Sequence, residues 1–171
     1  TASASINAGA GTVTLVPRTA GRLIDLGSIT DAAPGTLELS NAEIDRVSAG
    51  TLRIGDAASG AITVSADITP AGATDLHLIT GATVTGTAGG IAVSGLAITA
   101  GGTVNFTDAS TNVTTVAVSN PGNAVTFTET DGFAIGTVDG VSGINAGTGA
   151  LTLTAGGAVT QTAAITAAGL E

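Results

Sequence analysis

The chain has 171 residues and a formal net charge of −9, with four arginines, no lysine and no cysteine. This charge would repel a phosphate backbone, which excludes nucleic acid as a partner, and the lack of cysteine excludes disulfides and thiolate metal sites. No apolar run approaches the roughly 20 residues of a membrane-spanning helix, so we expect a chain that is not membrane-embedded.

The apolar residues indicate a narrow, layered core. Hydrophobic residues make up 43% of the chain, but aromatic residues make up only 2%, and Met, Trp and Tyr are absent. The core must therefore be built from Val, Ile, Leu and Ala rather than from the large side chains that usually supply much of the buried area. Disordered segments combine low hydrophobicity with high charge, and this chain has neither property.

One short pattern recurs along the chain: a turn residue, two apolar residues separated by one position, then a small or polar residue. The 26 glycines and the lack of a sustained helical period argue against long helices. The pattern predicts strands with one buried face, in chain order at 11–15, 35–40, 50–55, 60–65, 74–79, 89–94, 102–107, 114–119, 123–128, 131–136 and 149–154.

The spacing of similar strands favours a parallel solenoid over an antiparallel sandwich. "VNFTD" and "VTFTE" begin at Val104 and Val125, a separation that suits one turn of a β-helix and would stack Phe106 on Phe127. Hairpin signals such as Asn-Gly between two strands are missing. Two further pairs have a slightly longer spacing: "LEL" at 37 with "ITV" at 62, and "IAV" at 91 with "VAV" at 116.

These spacings predict an all-β fold, a right-handed parallel β-helix (β-solenoid) of about seven coils of roughly 20–25 residues. At the usual spacing of parallel strands, it would form a rod of about 35 Å.

An internal repeat links the two ends of the chain. Ile6–Leu15 and Ile144–Leu153 share Ile, Asn, Ala, Gly, Gly, Thr and Leu at equivalent positions. The offset between the two copies predicts one module plus an overlap, with residues 1–169 a single segment excised from a longer repetitive protein and 170–171 a cloning remnant. Asn7 and Asn145 follow a predicted strand, where Asn can adopt the left-handed backbone of a tight corner.

Two long stretches of the chain resemble a known family. "SGINAGTGALTLTAGGAVTQTAAITAAGL" (142–170) and "GTLELSNAEIDRVSAGTLRIGDAASGAITVSADIT" (35–69) resemble the repeats of filamentous-haemagglutinin-like proteins. The resemblance implies a β-helical segment of a large bacterial adhesin, secreted or exposed on the cell surface through two-partner secretion or autotransport. It implies cell adhesion or biofilm formation, with host or cell-surface glycans or matrix as partners of the parent protein. It assigns no catalytic residue.

The most charged stretch is the candidate ligand-binding region. Parallel β-helices include polysaccharide lyases and hydrolases that cluster carboxylates on neighbouring coils, but their clefts usually add aromatic platforms and basic groups that this chain lacks. Surface Arg–carboxylate pairs are therefore the favoured interpretation, and we expect no catalytic residue, cofactor or metal site. The candidate ligand-binding residues are Glu38, Glu43, Asp45, Arg46 and Arg53.

His77 is the only histidine of the chain. It alternates with Leu76 and Leu78, so we expect it to point away from the core, as a solvated side chain on a strand. No partner for a Ser-His-Asp arrangement or a histidine metal site can be identified in the sequence.

Thr-x-Thr pairs stand at 12/14, 83/85, 126/128 and 152/154. Outward threonine rows on a flat solenoid face can bind ice. Because the pairs do not recur at constant spacing on successive coils, the favoured interpretation is strand propensity and hydration of the outer face.

The sequence thus predicts a non-catalytic structural stalk of a bacterial surface adhesin, with self-association possible through the unpaired strand edges at the solenoid ends. Two alternatives stay open. A carbohydrate-binding or polysaccharide-cleaving β-helix module needs a groove with at least two convergent carboxylates. An ice-binding β-solenoid needs aligned threonine rows on one flat face.

Overall fold

The computed structural model describes residues 4–170, and nearly all of its regular structure is β-strand. The strands are short because Gly, Asn, Asp and Pro interrupt each apolar run. In chain order the elements are β1 (Ile6–Asn7), β2 (Thr12–Leu15), β3 (Leu23–Leu26), β4 (Thr36–Leu39), α1 (Asn41–Ile44), β5 (Val47–Asp56), β6 (Ile62–Val64), β7 (Ala73–Thr80), β8 (Val84–Gly86), β9 (Ala92–Ala100), β10 (Val104–Phe106), β11 (Asn112–Ser119), β12 (Val125–Glu129), β13 (Ala134–Ile135), β14 (Thr137–Val138), β15 (Val141–Ser142), β16 (Ile144–Asn145), β17 (Ala150–Ala155), β18 (Thr160–Gln161), β19 (Ile165–Thr166) and β20 (Gly169–Leu170).

Two large parallel sheets contain every strand of the described chain except β14 and β15. The first sheet has ten strands in the order β1-β5-β7-β9-β11-β13-β18, with β2 beside β5, and with β16 paired to β11 and β19. The second sheet has eight strands in the order β20-β17-β12-β10-β8-β6-β3-β4. From β5 to β12 the chain alternates between the two sheets, which gives each parallel pair the crossover connection that it requires.

The core lies between these sheets and is built from rows of apolar side chains. Across the first sheet, Ile54, Leu78, Ile98 and Val118 pair in register, and each is at most 1% exposed. Equivalent rows from the second sheet join them in one cluster. Burying each such side chain contributes about 1.5–3 kcal/mol, so the stacked rows are the main source of stability.

The predicted stack of Phe106 on Phe127 is confirmed. The two residues pair directly between β10 and β12, and their ring centroids lie 6.2 Å apart with a tilt of 42°. Phe133 packs edge-on against Phe127 at 5.4 Å. On the other side of Phe106 the paired residue is Gly86, where a Cβ would lie 2.6 Å from the Phe106 ring. Glycine therefore leaves the room that the aromatic side chain occupies.

The two longer spacings do not mark directly paired strands. Leu37 and Ile62 do not stack on each other, because both pair with Ile24 from opposite sides. Here β4 is an additional edge strand that follows β3 on its outer side. Val116 pairs with Leu96 and not with Ile91. Loops of different length separate the strands, so the spacing of similar sequences does not by itself give the register.

The repeated Ile-Asn-Ala-Gly forms the same turn twice, but not through left-handed asparagines. The left-handed residues are Gly9 and Gly147, with φ of 56° and 58°. The side-chain oxygen of Asn7 accepts a hydrogen bond from the N–H of Gly9 at 2.9 Å, and that of Asn145 accepts from Gly147 at 3.0 Å. After the turn the copies diverge, since β2 joins the first sheet and β17 the second.

The expectation that hairpin signals are missing is wrong at one place. Asp139 and Gly140 have φ of 47° and 80° and join the antiparallel pair β14–β15. Two positive φ values define the tight hairpin turn for which Asp-Gly is a strong sequence signal. The hairpin stands between β13 and β16, which both pair with β11. It therefore interrupts one strand of the first sheet and leaves the plane of that sheet.

Near both ends of the described chain, apolar side chains are exposed, among them Ile6, Leu23 and Val159. Leu170, assigned from the sequence to a cloning remnant, is the second residue of β20 and pairs with Leu151, whereas Glu171 lies outside the described residues. Among the described residues, no helix is long and apolar enough to cross a membrane.

Replacing Phe127 by Ala should lower the free energy of unfolding by about 3–5 kcal/mol, because it leaves a cavity in the middle of the stacked core. Denaturant titration followed by circular dichroism measures this loss. Thr126→Ala is the matched control, since its side chain lies on the opposite face of the same strand, and it should cost less than about 1 kcal/mol. Equal losses in the two variants would contradict a core position for Phe127.

Candidate functional site

Glu38 lies on β4, at the outer edge of the second sheet, and holds the preceding loop. Its carboxylate accepts hydrogen bonds from the hydroxyl of Ser28, from the hydroxyl of Thr30 at 3.3 Å and from the N–H of Ala33 at 2.6 Å. These donors, Ser28 foremost, lower the pKa of Glu38 below its usual value. The carboxylate therefore has a local structural role at this edge.

Glu43, Asp45 and Arg46 surround the single turn of α1. The N–H of Ser40 donates to the Glu43 carboxylate at 2.9 Å, an N-terminal cap that lowers the pKa of Glu43. Asp45 accepts a hydrogen bond from the N–H of Ala71 at 2.9 Å and so attaches the turn to the next connection. Arg46 is exposed, and its charge makes only a minor contribution to the lowered pKa of Glu43.

The three predicted carboxylates thus make separate local hydrogen bonds. Within residues 4–170, no three His, Asp or Glu side chains are grouped so that they could hold a metal ion. Ligand binding by this stretch stays a prediction.

Arg53, by contrast, reaches a distant part of the chain. From β5 its guanidinium donates to both carboxylate oxygens of Asp139, through Nε at 2.6 Å and Nη2 at 2.7 Å. Asp139 stands at the turn of the β14–β15 hairpin, 86 residues further on. Its side chain is 9% exposed, compared with 40% for Arg53. A bidentate pair of this kind is among the strongest hydrogen-bonded contacts in proteins.

His77 points away from the core as predicted, but the prediction of a solvated side chain is wrong, because the residue is only 6% exposed. Its Nδ1 lies 2.6 Å from Asp139 Oδ2, and its Nε2 lies 2.9 Å from Thr99 Oγ1. An ionised carboxylate can only accept a hydrogen bond, so Nδ1 of His77 carries a hydrogen and donates a hydrogen bond to Asp139. The hairpin thus supplies the partners that the sequence did not reveal.

The hairpin packs on small residues of the first sheet. Val138 and Val141 pack against Ala97 and Ala117, which are fully buried although they face away from the main core. A Cβ on Gly95 would lie 3.0 Å from Val138 and would also collide with the Asp75 carboxylate. Two features of the sequence could have revealed that the hairpin covers this surface. They are alanines at the outward positions 97 and 117 of two neighbouring strands, and the Asp-Gly turn signal at 139–140.

We name the group Arg53, His77, Thr99 and Asp139 the hairpin clamp. The Arg53 guanidinium foremost, and then His77, hold the pKa of Asp139 below its usual value against the opposing effect of burial. Burial, aided by the negative charge of Asp139, raises the pKa of Asp75 beside the clamp. At neutral pH the clamp therefore contains an ionised carboxylate matched by the arginine.

The order Asp139–His77–Thr99 is that of a relay that activates a hydroxyl nucleophile. Thr99, however, lies inside β9, where it pairs with Ile79 on one side and Ser119 on the other. The surrounding N–H groups are used in the sheet ladder, and acyl transfer needs free N–H donors aimed at the oxyanion. The geometry therefore supports a role in fastening the hairpin.

Two adjoining grooves lie at the β4 edge, away from the clamp. One has a volume of about 540 Å³ and includes Arg22, Asp31 and Glu38 in its lining. The other, of about 370 Å³, shares Arg22, Thr36 and Leu37 with it. The first groove combines one arginine with two carboxylates, whereas the second is lined by two arginines and two threonines among other residues, and neither lining contains an aromatic residue.

The Thr-x-Thr pairs are more ordered than their sequence spacing indicated. The pair at 12/14 lies on β2 in the first sheet, whereas the other three lie along the second sheet. There Thr126 pairs with Thr152, and Thr128 pairs with Thr154. The pair at 83/85 is offset from these two, because Thr85 leads through Asn105 to Thr126. Two of the four pairs therefore align on adjacent strands, and strand pairing, not sequence spacing, sets this alignment.

The chain matches no family model, no curated protein and no solved structure.

Replacing Asp139 by Asn should lower the free energy of unfolding by about 2–3 kcal/mol, since it leaves the mostly buried His77 and the half-exposed Arg53 without their charged partner. Denaturant titration measures the loss. Asp31→Asn is the matched control, because Asp31 has the same backbone conformation, with φ of 48°, but is exposed. An equal effect of both substitutions would attribute the loss to the turn and not to the clamp.

The stabilisation from Asp139 should depend on pH. Because its pKa is lowered in the folded state, the contribution is fully present above the usual value of 3.8 and is lost as the pH falls through the folded-state pKa. The difference in stability between the unchanged protein and Asp139→Asn should therefore shrink below pH 3.8 in denaturant titrations. A difference that grows as the pH falls below 3.8 would contradict the ionised clamp.

Proposed function

We propose that this chain is a structural segment of a bacterial surface adhesin, a stiff rod that carries a distal adhesive site away from the cell. In this proposal the two sheets are walls of a right-handed parallel β-helix of about seven coils. The supporting observation is the in-register stacking of apolar side chains through both sheets, for example Ile62, Val84, Val104, Val125 and Leu151 in the second.

Right-handed winding follows from the general rule that about 98% of parallel crossovers have that hand. We call one strand of each sheet, with its connections, a level. Each level contacts chiefly the levels directly before and after it, so bending the segment would have to separate paired strands, which makes it stiff. Seven strand levels in the first sheet are separated by six spacings of about 4.8 Å, so the described segment would span about 30 Å from the first strand to the last.

The surface location is supported by composition and by the family resemblance. The absence of cysteine suits a chain that passes unfolded through an export pore, where disulfides would block passage. The repeats resemble those of filamentous-haemagglutinin-like proteins, which act in adhesion. Host or cell-surface glycans or matrix would then be the partners of a distal site, and this segment would be non-catalytic.

One observation favours a second candidate, a carbohydrate-binding module. The groove that includes Arg22, Asp31 and Glu38 places one cation and two carboxylates around about 540 Å³, and such groups can bind sugar hydroxyls or uronic acids. The lack of aromatic residues in the lining and the engagement of Glu38 with its own loop both favour the rod.

The rod can be tested by measuring a distance between its ends. Because the chain has no cysteine, Thr12→Cys on β2 and Thr160→Cys on β18 can carry two spin labels, six strand levels apart. Pulsed electron paramagnetic resonance should give one narrow distance of about 30 Å. A broad distribution for this end-to-end pair would contradict a stiff rod.

Labels on Thr12 and Thr51, which pair directly on adjacent strands, are the matched short-distance control. Their proximity should produce strong dipolar broadening in continuous-wave spectra, which the end-to-end pair should lack.

A glycan and matrix binding screen of the same protein, with a cleavage assay on any hits, separates the two candidates. The rod predicts no binding by this segment. Binding that is lost in Arg22→Ala and retained in Arg18→Ala would instead make it an adhesive module.

A further inference from the structure

The outer face of the second sheet carries an ordered array of small polar side chains, all but one of them threonine. One row contains Thr63, Thr85, Asn105, Thr126 and Thr152, each paired in register with the next. We name this row and the one beside it the threonine face. Thr63 is exposed, and the other four residues of the row are half-buried. The row ends at β3, where Asp25 pairs with Thr63.

The second row lies two residues further along each strand. Thr128 pairs with Thr154, and the N–H of Thr107 donates to the carbonyl of Gly86 at 2.9 Å, which continues the ladder and places Thr107 beside Thr87. Neighbouring positions are therefore about 4.8 Å apart across the strands and about 6.6 Å apart along them. The result is a two-dimensional lattice of hydroxyl and methyl groups, interrupted at one position by the amide of Asn105.

This face is neutral on a chain whose formal net charge is −9. The five strands β6, β8, β10, β12 and β17 contain a single ionisable residue, Glu129, which is 2% exposed and points inward. The outer face of the first sheet, in contrast, carries the hairpin clamp. The aromatic residues Phe106 and Phe127 pack beneath the threonine face and hold its strands in place.

We propose that the threonine face binds ice. Each hydroxyl can donate to and accept from water, and each methyl group restricts the orientations of the water beside it. A rigid array orders its hydration water with a fixed two-dimensional period, and ice is a partner whose surface has a fixed period in two dimensions. Many weak contacts then act together, without a cost for ordering the protein.

The composition of the face argues against other occupants. Sugar polymers are usually held on aromatic platforms, and the phenylalanines here face inward. Protein interfaces centre on Trp, Tyr and Arg anchors, none of which stands in either row. Charged groups, which would impose their own hydration shells, continue the first row only at its β3–β4 end, where Asp25 and Glu38 follow Thr63. The inference is independent of the proposed rod, because it depends on one face and not on the length or stiffness of the segment.

The purified chain should enter a growing ice hemisphere from dilute solution and inhibit ice recrystallisation. Thr126→Tyr, inside the array with a paired neighbour on each side, should raise the concentration needed for inhibition by about tenfold, because a bulky ring holds neighbouring hydroxyls away from the ice surface. Thr12→Tyr is the matched control: Thr12 also belongs to a Thr-x-Thr pair, but on β2 of the first sheet, and it should leave the activity unchanged.

Circular dichroism and thermal melting establish that both tyrosine variants are folded. Thr126→Ser removes only the methyl group, and this milder variant should lose part of the activity. A folded chain that is excluded from ice overturns the proposal. So does equal loss of activity in Thr12→Tyr and Thr126→Tyr, or binding of the face to insoluble polysaccharide or to a second copy of the chain in place of ice.

Discussion

Register-matched pairing of parallel strands is the constraint on which the rest of this structure depends. Once Val104, Val125 and Leu151 pair in one row, every other position of their strands is aligned as well. Inward rows then form the core and outward rows form the surface lattice, at the same spacing of about 4.8 Å. The loops carry the variation, because a longer connection changes the spacing in the sequence without changing which strand residues are paired.

The hairpin shows what happens where this regularity is broken. The hairpin is an insertion between β13 and β16, and without contacts to the sheet it would be an unsupported loop. Its valines pack on Ala97 and Ala117, and its Asp139 binds Arg53 and His77 on two neighbouring strands. The polar groups that become covered are paired with one another, which offsets the cost of removing them from water. The clamp therefore holds the inserted hairpin against the first sheet. Its residue types, Asp, His and Thr, are the same ones that some enzymes use in catalysis.

The two outer surfaces consequently differ in character. The first sheet carries the hairpin and its charges, whereas strands β6, β8, β10, β12 and β17 of the second sheet present rows of mostly threonine side chains without an outward charge. A stalk requires only the stacked core, so the ordered outer face is a separate property that the proposed structural function does not explain. It is the regularity of the core, with Phe106 and Phe127 in direct register, that gives the outer face its period.

The sequence by itself determined the local properties: short strands from alternating apolar residues, an aromatic stack from the spacing of two similar strands, and the outward direction of His77. It did not determine the register at Leu37 or Ile91, since connections of unequal length make similar strands recur at misleading intervals. It also did not reveal the clamp, because Arg53, His77 and Asp139 are brought together by a hairpin that folds back over the sheet. Only the tertiary structure decided which residues became neighbours across strands, because pairing between distant segments depends on the packing of the whole core.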